Sequence, residues 1–301
     1  MRRLPRSAVL LALLGTTACG SAATPTGVDD RGVPETLRVA IIPNTAPDEQ
    51  SARYAPLRDY LATELGVEVE LFAATDYAGV VTALAAGKVD VAYLGGLTYV
   101  QAEAQVDLRP LVTEVDRETG TREYLSGIVV RSDSPHRSVG DVVAGRGTFA
   151  FGDVSSTSGS LYPRLMLNAA GAECSASAVD RCPPFDEVAF TGGHDATAQA
   201  VANGSADAGG VELRILHRLE DEGKLPKDRL RVVGSERVMG YPWAMRAALG
   251  ERAAAAVTAA FLEMGRPDLL DLMQTTGYQQ VTEADYASVE RNAVELGLLS
   301  A

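Results

Sequence analysis

The run Phe151-Gly152-Asp153-Val154-Ser155-Ser156-Thr157-Ser158-Gly159-Ser160 places a dense set of hydroxyls between a strand and a helix that runs to Ala170. Unpaired N–H groups of a helix's first turn, the positive end of its dipole and side-chain hydroxyls can converge there on an anion without any formal charge. Each hydrogen bond to a charged group contributes about 1.5–3 kcal/mol, so four or five support micromolar binding, about −8 kcal/mol. Ser and Thr are also ordinary helix caps, so the loop by itself carries either reading. A second donor-rich helix start, Thr191-Gly192-Gly193-His194-Asp195-Ala196-Thr197, follows another strand and opens a helix to Asn203. At that position His194 can donate to the same anion, or it can be a satisfied structural residue.

Two further strand ends carry side chains suited to a binding wall: Ala74-Thr75-Asp76-Tyr77-Ala78-Gly79 and Tyr93-Leu94-Gly95-Gly96-Leu97-Thr98. In open α/β sheets ligands sit at the carboxyl ends of strands, which puts Tyr77 and Tyr93 at a cleft or in the packing beside it. A hydrolase would use Ser156 or Ser158 as nucleophile with His194 as base. The chain has no Gly-x-Ser-x-Gly elbow, and Asp195, adjacent to His194 in sequence, is badly placed to orient that ring. Phosphoryl transfer would need a P-loop or clustered metal carboxylates, and the sequence has neither. We therefore expect a binder, not an enzyme, with no cofactor and no metal.

These loops must be held by a larger framework. From Leu37 the chain alternates short β-rich runs with amphipathic helical stretches, the pattern of an α/β fold. Strands are expected at 37–42, 68–72, 89–93, 108–114, 125–131, 148–151, 187–190, 206–209, 230–234 and 243–246. Apolar stripes such as Leu57, Tyr60, Leu61 and Leu65 ahead of Gly66, and Val80, Val81, Leu84 and Ala85 ahead of Gly87, read as core faces with glycine stops. Ten strands are too many for one parallel sheet at this length. The chain is expected to leave a first sheet at Tyr124–Arg131 and to return at Trp243–Arg246, with helices over 251–264, 268–274 and 283–296 closing it. Two lobes crossed twice make a hinge and a cleft, with Trp243 at the cleft's apolar side or in the hinge packing.

Composition narrows the partners. A chain of 301 residues with 27 Lys+Arg against 40 Asp+Glu carries −13; it lacks the basic footprint of a nucleic-acid binder, and any anion site must be local. With only 3 His and 3 Cys it is not a zinc module. Arg2, Arg3 and Arg6, the short apolar run Ala8–Leu14 and Thr16-Thr17-Ala18-Cys19 read as a signal peptide over 1–18, since a membrane span needs about 20 apolar residues. Cys19 after a small residue looks like a bacterial lipobox, apart from Thr16 where Leu is usual. We expect a lipid on Cys19, a flexible stalk over 19–35 and anchorage to the outer face of the cell membrane, with plain secretion as the alternative. Export also lets Cys174 and Cys182 form a disulfide.

Four separated runs, Thr75-Asp76-Tyr77-Ala78-Gly79-Val80, Gly87-Lys88-Val89-Asp90-Val91-Ala92, Ser156-Thr157-Ser158-Gly159, and His194-Asp195-Ala196-Thr197 with Ala206-Asp207-Ala208, occur in the order found in the phosphonate/phosphite-type periplasmic binding proteins. The chain resembles that family over roughly residues 36–280. The resemblance implies a two-lobed type II binding-protein fold, each lobe a mixed sheet flanked by helices, with lobe 1 over 36–126 plus 238–301 and lobe 2 over 127–237. It implies a monomeric receptor that closes on a small phosphorus oxyanion and hands it to an ABC permease and its ATPase; a receptor for a membrane sensor, or a binder of another oxyanion such as a sulfonate, is the alternative. Position by position, Ser156, Thr157 and Ser158 look like the oxygen donors, His194 their partner and Tyr77 a wall from the opposite lobe.

The chain departs from the family in one respect that bears on the ligand. Members that take an aminoalkyl phosphonate place a Tyr where this chain has Leu94 after Tyr93, and acids where it has Arg214 and Tyr241. An ammonium closed in without a carboxylate is poorly compensated, so a cationic aminoalkyl phosphonate is not expected. Phosphite, methylphosphonate, phosphate or an acid-bearing phosphonate fit better. Arg214 either pairs with a second anionic group or is a solvated helix residue.

Overall fold

A computed structural model describes residues 27–175 and 178–299; Cys19, the signal region and most of the stalk lie outside them. The chain opens with β1 (Thr36–Ile41), α1 (Pro47–Leu65), β2 (Glu68–Phe72), α2 (Tyr77–Ala85), β3 (Val91–Tyr93), α3 (Gly96–Glu103) and β4 (Leu108–Asp116). It continues through β5 (Glu123–Arg131), α4 (Val139–Gly145), β6 (Thr148–Phe151), a π-helical turn over Thr157–Leu161, α5 (Tyr162–Ala169), β7 (Glu187–Phe190), α6 (His194–Asn203), β8 (Ala208–Glu212), α7 (Leu213–Asp221) and β9 (Leu230–Met239). It closes with β10 (Trp243–Arg246), α8 (Gly250–Leu262), α9 (Pro267–Leu272), β11 (Thr275–Gln280) and α10 (Ala287–Glu295).

These strands form two mixed sheets, a 6-stranded one in the order β11-β4-β10-β3-β1-β2 and a 5-stranded one in the order β7-β6-β8-β5-β9. The chain crosses from the first to the second between β4 and β5 and returns between β9 and β10. The two crossings touch: Gly240 N–H donates to the Arg122 carbonyl at 2.8 Å, and the Gly240 carbonyl accepts from the Tyr286 hydroxyl at 3.0 Å. β5 pairs antiparallel with β9 along its whole length, Glu123 opposite Met239 through Arg131 opposite Leu230. Both strands therefore lie entirely in the second sheet, a few residues beyond the expected boundaries at 126 and 238.

The second sheet is covered on both faces, which is why Ile128, Val129 and Val130 are buried in succession. Val129 faces Ala198, Val201 and Leu216, whereas Ile128 and Val130 face Phe149, Phe151, Leu167 and the Cys174–Cys182 disulfide. In the first lobe Leu57, Leu61 and Leu65 of α1 and Val80 and Leu84 of α2 enter one core with Trp243 and Phe261. The expected glycine stops are used: Gly66 (φ 64) caps α1 by donating to the Ala62 carbonyl, and Gly87 (φ 67) follows α2.

One strand was not expected. β11 pairs antiparallel with β4, Tyr278 opposite Glu114 and Gln280 opposite Val112. Its sequence, Thr-Thr-Gly-Tyr-Gln-Gln, lacks branched apolar residues, so partner and edge position, not propensity, make it a strand. β8 and β9 also run further than expected, to Glu212 and Met239.

Candidate functional site

The carboxyl ends of β1 and β3 in one sheet and of β6, β7 and β8 in the other meet between the lobes. Across this junction the His194 N–H donates to the Asn44 carbonyl at 3.1 Å and the Ala46 N–H to Asp195 Oδ2 at 3.1 Å. The Leu97 N–H donates to Thr157 Oγ1 at 2.9 Å, Thr98 Oγ1 to the Ser155 carbonyl at 3.0 Å, and the Tyr77 N–H to Asp153 Oδ2 at 3.4 Å. The lobes are thus in contact around a closed interior.

Inside it, buried polar atoms lack protein partners. Among the described residues these include the Tyr77 hydroxyl, the Tyr124 hydroxyl, Ser158 Oγ and His194 Nε2. Tyr77 comes from the start of α2, capped by Asp76, whose carboxylate accepts the Gly79 N–H. Its hydroxyl lies beside Ser156, and that of Tyr124 beside Ser158, without forming a proper hydrogen bond. Burial, reinforced by Asp153, holds the Tyr77 hydroxyl well above its ordinary pKa, so it is a neutral donor. Ser156 Oγ accepts the Gly159 N–H at 3.0 Å, and Thr157 Oγ1 accepts from Leu97, which leaves both hydroxyl protons to point elsewhere. Gly159 must be glycine here: a Cβ would stand 2.9 Å from Ser156 Oγ and 3.1 Å from His194 Cε1.

The ring of His194 is oriented by β8. Its Nδ1 accepts the Glu212 N–H at 3.2 Å, so Nε2 carries the proton. Burial lowers the imidazole pKa, with Glu212 opposing, and the ring stays neutral with Nε2–H as a donor. Tyr77, Ser156, Thr157, Ser158 and His194 are therefore brought together, with donors from both lobes and, among the donors named here, no formal charge. An unsatisfied buried polar atom costs about 1–3 kcal/mol, so several in one place call for a partner that the protein itself does not supply.

Other residues singled out from the sequence form the wall behind. Tyr93 donates a short hydrogen bond to Glu114 Oε1, stacks on Tyr241 at 5.0 Å and meets the tilted Trp243 ring at 5.0 Å. Tyr241 donates to Glu212 Oε2 at 2.5 Å. Leu94 is fully buried in the first core. Arg214 is neither solvated nor available to a second anion. It is 5% exposed, donates through Nε and Nη2 to Glu212 Oε1 at 2.7 and 2.6 Å, and pairs with Asp116 at 3.2 Å.

Two residues were missed. Tyr124 sits in β5, where a strand tyrosine gives no signal of its own. Glu212 ends β8, so the strand-end rule that found His194 also points to it; a β8 expected to stop at Gly209 hid it. An acid thus stands beside Arg214 and Tyr241 after all, with both oxygens engaged. Burial would raise its pKa, but Arg214 first and His194 second bring it below the usual carboxylate value, so it is ionised and compensated.

A family model described as the periplasmic substrate-binding protein of phosphonate ABC transporters matches residues 39–286. The phosphate-import protein PhnD of Mycolicibacterium smegmatis is 34% identical over 251 residues, 82% of this chain and 77% of its own. The phosphonates-binding periplasmic protein of Escherichia coli is 28% identical over 246 residues, 80% of this chain and 70% of its own. Among solved structures, PhnD1 of Prochlorococcus marinus in complex with methylphosphonate superposes with a TM-score of 0.76 at 24% identity, covering 88% of this chain and 99% of that one. The two-sheet architecture is theirs, and the chain belongs to the family of phosphonate and phosphate ABC importer periplasmic substrate-binding proteins.

Proposed function

We propose that this chain captures a small phosphorus oxyanion with an uncharged substituent, such as methylphosphonate, phosphite or phosphate, between its lobes. The observation that supports this reading is the set of buried polar atoms without protein partners at Tyr77, Tyr124, Ser158 and His194. Together with the free hydroxyl protons of Ser156 and Thr157 they match an anion's oxygens from several directions. The aromatic wall of Tyr124 and Tyr241, ring centres 5.2 Å apart, suits a methyl or hydrogen substituent. An acid-bearing phosphonate drops out because Arg214 is already held by two acids. An aminoalkyl phosphonate drops out because the Glu212 charge is compensated by Arg214 and its second oxygen is held by Tyr241.

The rest of the reading rests on the family for transport and on the Thr16–Cys19 pattern for the anchor. The protein acts without catalysis, as a monomer tethered through lipid on Cys19, and passes its ligand to an ABC permease driven by an ATPase. Calorimetric titration with methylphosphonate, phosphite, phosphate, aminoethylphosphonate and sulfate tests the ligand class. Micromolar or tighter binding of any of the first three, without aminoethylphosphonate, is expected; tight aminoethylphosphonate binding, or silence across the series, overturns it.

A further inference from the structure

Arg164, the third residue of α5, is fully buried, and its surroundings are unusual for a cation. Its Nη2 donates to the Val179 carbonyl at 2.8 Å, its Nε lies 3.4 Å from Ser160 Oγ, and Nη1 has no partner. The guanidinium lies over the Phe151 ring at 4.2 Å and 5.8 Å from the centre of the Phe190 ring. No carboxylate is within ion-pairing distance of it among the described residues. Arg214, the other buried arginine, holds two. Burial alone, with no charged neighbour acting on it, brings Arg164 down to about 10, so it is protonated at neutral pH.

Its position gives the lone charge a use. Phe151 ends β6 and Phe190 ends β7, the strands that lead into the Ser156–Ser158 loop and into His194. Ser160 is in the same π-helical turn as Thr157 and Ser158. The guanidinium therefore packs against the last residues of the two strands that lead into the donor loops and against the turn that carries Thr157 and Ser158. A buried cation without a counter-ion carries a large desolvation penalty, and a bound anion would compensate it through a medium that screens weakly.

We propose that Arg164 is an affinity- and valence-determining residue: it supplies the formal positive charge that the neutral cradle lacks, and favours dianionic over monoanionic ligands. This rests on the oxyanion reading above. Arg164 acts through the field and through Ser160, without touching the ligand. Stacking on Phe151 and holding the Val179 carbonyl is the purely structural alternative.

Titration of the full chain with methylphosphonate at pH 6 and pH 9, for wild type, Arg164→Met and Arg164→Lys, separates these roles. Arg164→Met is expected to weaken binding at least tenfold at pH 9, where the ligand is doubly charged, and by a smaller factor at pH 6, without lowering the melting temperature of the ligand-free protein. Arg164→Lys should bind within about threefold of wild type at pH 6 and fall toward the Met variant by pH 9, because a buried lysine loses its proton where arginine keeps it. If Arg164→Met does not fold, the pH profile of Arg164→Lys carries the test. Binding by Arg164→Met within twofold of wild type at both pH values, an equal loss at both pH values with a lowered melting temperature, or a Lys variant that tracks wild type overturns the proposal. Silence of the wild type with methylphosphonate, phosphite and phosphate overturns the oxyanion reading and this one with it.

Discussion

The Nδ1 of His194 accepts the backbone N–H of Glu212 at 3.2 Å, a bond that ties the first residue of α6 to the last of β8. It fixes the tautomer and aims Nε2–H into the interior. His194→Asn keeps an acceptor near Nδ1 and removes that donor, so affinity for the oxyanion should fall about tenfold or more while the protein stays folded. The pH dependence has a definite sign. Burial holds the folded imidazole below its ordinary pKa of 6.5, so the unfolded chain takes up the proton first; stability is complete above that value and declines as pH falls below it. Melting curves from pH 7.5 to 5 isolate this effect as a difference: wild type should lose ground relative to the Asn variant as pH falls, while groups with raised pKa such as Glu114 act alike in both.

Thr157 Oγ1 accepts from Leu97 N–H across the junction, which leaves its own proton for another acceptor. Thr157→Val removes both interactions, and leaves the Leu97 N–H unpaired only when the lobes close. We expect a tenfold to hundredfold loss of affinity, about 1–3 kcal/mol, with little change in the melting temperature of the ligand-free protein.

Tyr77→Phe deletes a buried hydroxyl that has no protein partner. The ligand-free protein should be as stable as wild type or up to about 1 kcal/mol more stable, and binding should weaken about tenfold. Thermal shifts with and without methylphosphonate read both quantities.

Glu114, fully buried beneath Tyr93, is pushed by burial up to about 7 against an ordinary value of 4.5, with Arg214 opposing. Because the folded state holds this proton more tightly than the unfolded one, its contribution is complete below pH 4.5 and is lost as pH rises through about 7. Glu114→Gln should therefore match wild type near pH 5 and exceed it by roughly 1–3 kcal/mol at pH 8 in denaturant unfolding.

Arg214→Met strips Glu212 and Asp116 of their shared cation and should cost about 3–5 kcal/mol, the penalty for a buried charge left uncompensated. Adding Glu212→Gln should restore part of that loss. The coupling energy from a double-mutant cycle measures it.

What the sequence disclosed and what it hid separate along physical lines. Ser156–Ser158, Tyr77 and His194 were legible because each lies where a strand hands over to a helix, and that handover is written locally in hydroxyls, glycines and a change of apolar period. Glu212 was hidden by a strand expected to stop three residues short of it, and Asp116 because a carboxylate in a core is tolerable only with the distant Arg214 present; the pairing of Glu212 with Tyr241 also spans 29 residues. β11 was hidden for a related reason: Thr275–Gln280 has no strand pattern of its own and pairs only because β4 offers an edge. Arg214, read as a solvated helix residue or a ligand partner, is held by Glu212, two residues before it, and by Asp116 of β4, and no local window of sequence contains the second of these.

The bonds across the junction draw unequally on the two lobes. Around the cradle the first lobe contributes the Asn44 carbonyl and the Ala46, Tyr77 and Leu97 N–H groups, main-chain atoms in each case, whereas the second contributes the side chains of Asp195, Asp153 and Thr157 and, opposite Asn44, the His194 N–H. Main-chain atoms survive almost any side-chain replacement. A change of side chain at Asn44, Ala46, Tyr77 or Leu97 would therefore leave those four contacts available, whereas Thr98 reaches across through its own hydroxyl and, away from the cradle, Arg53 and Asp116 pair through their side chains with Glu222 and Arg214. At these four contacts the first jaw can exchange side chains without loosening its grip, while in the second jaw grip and recognition share residues.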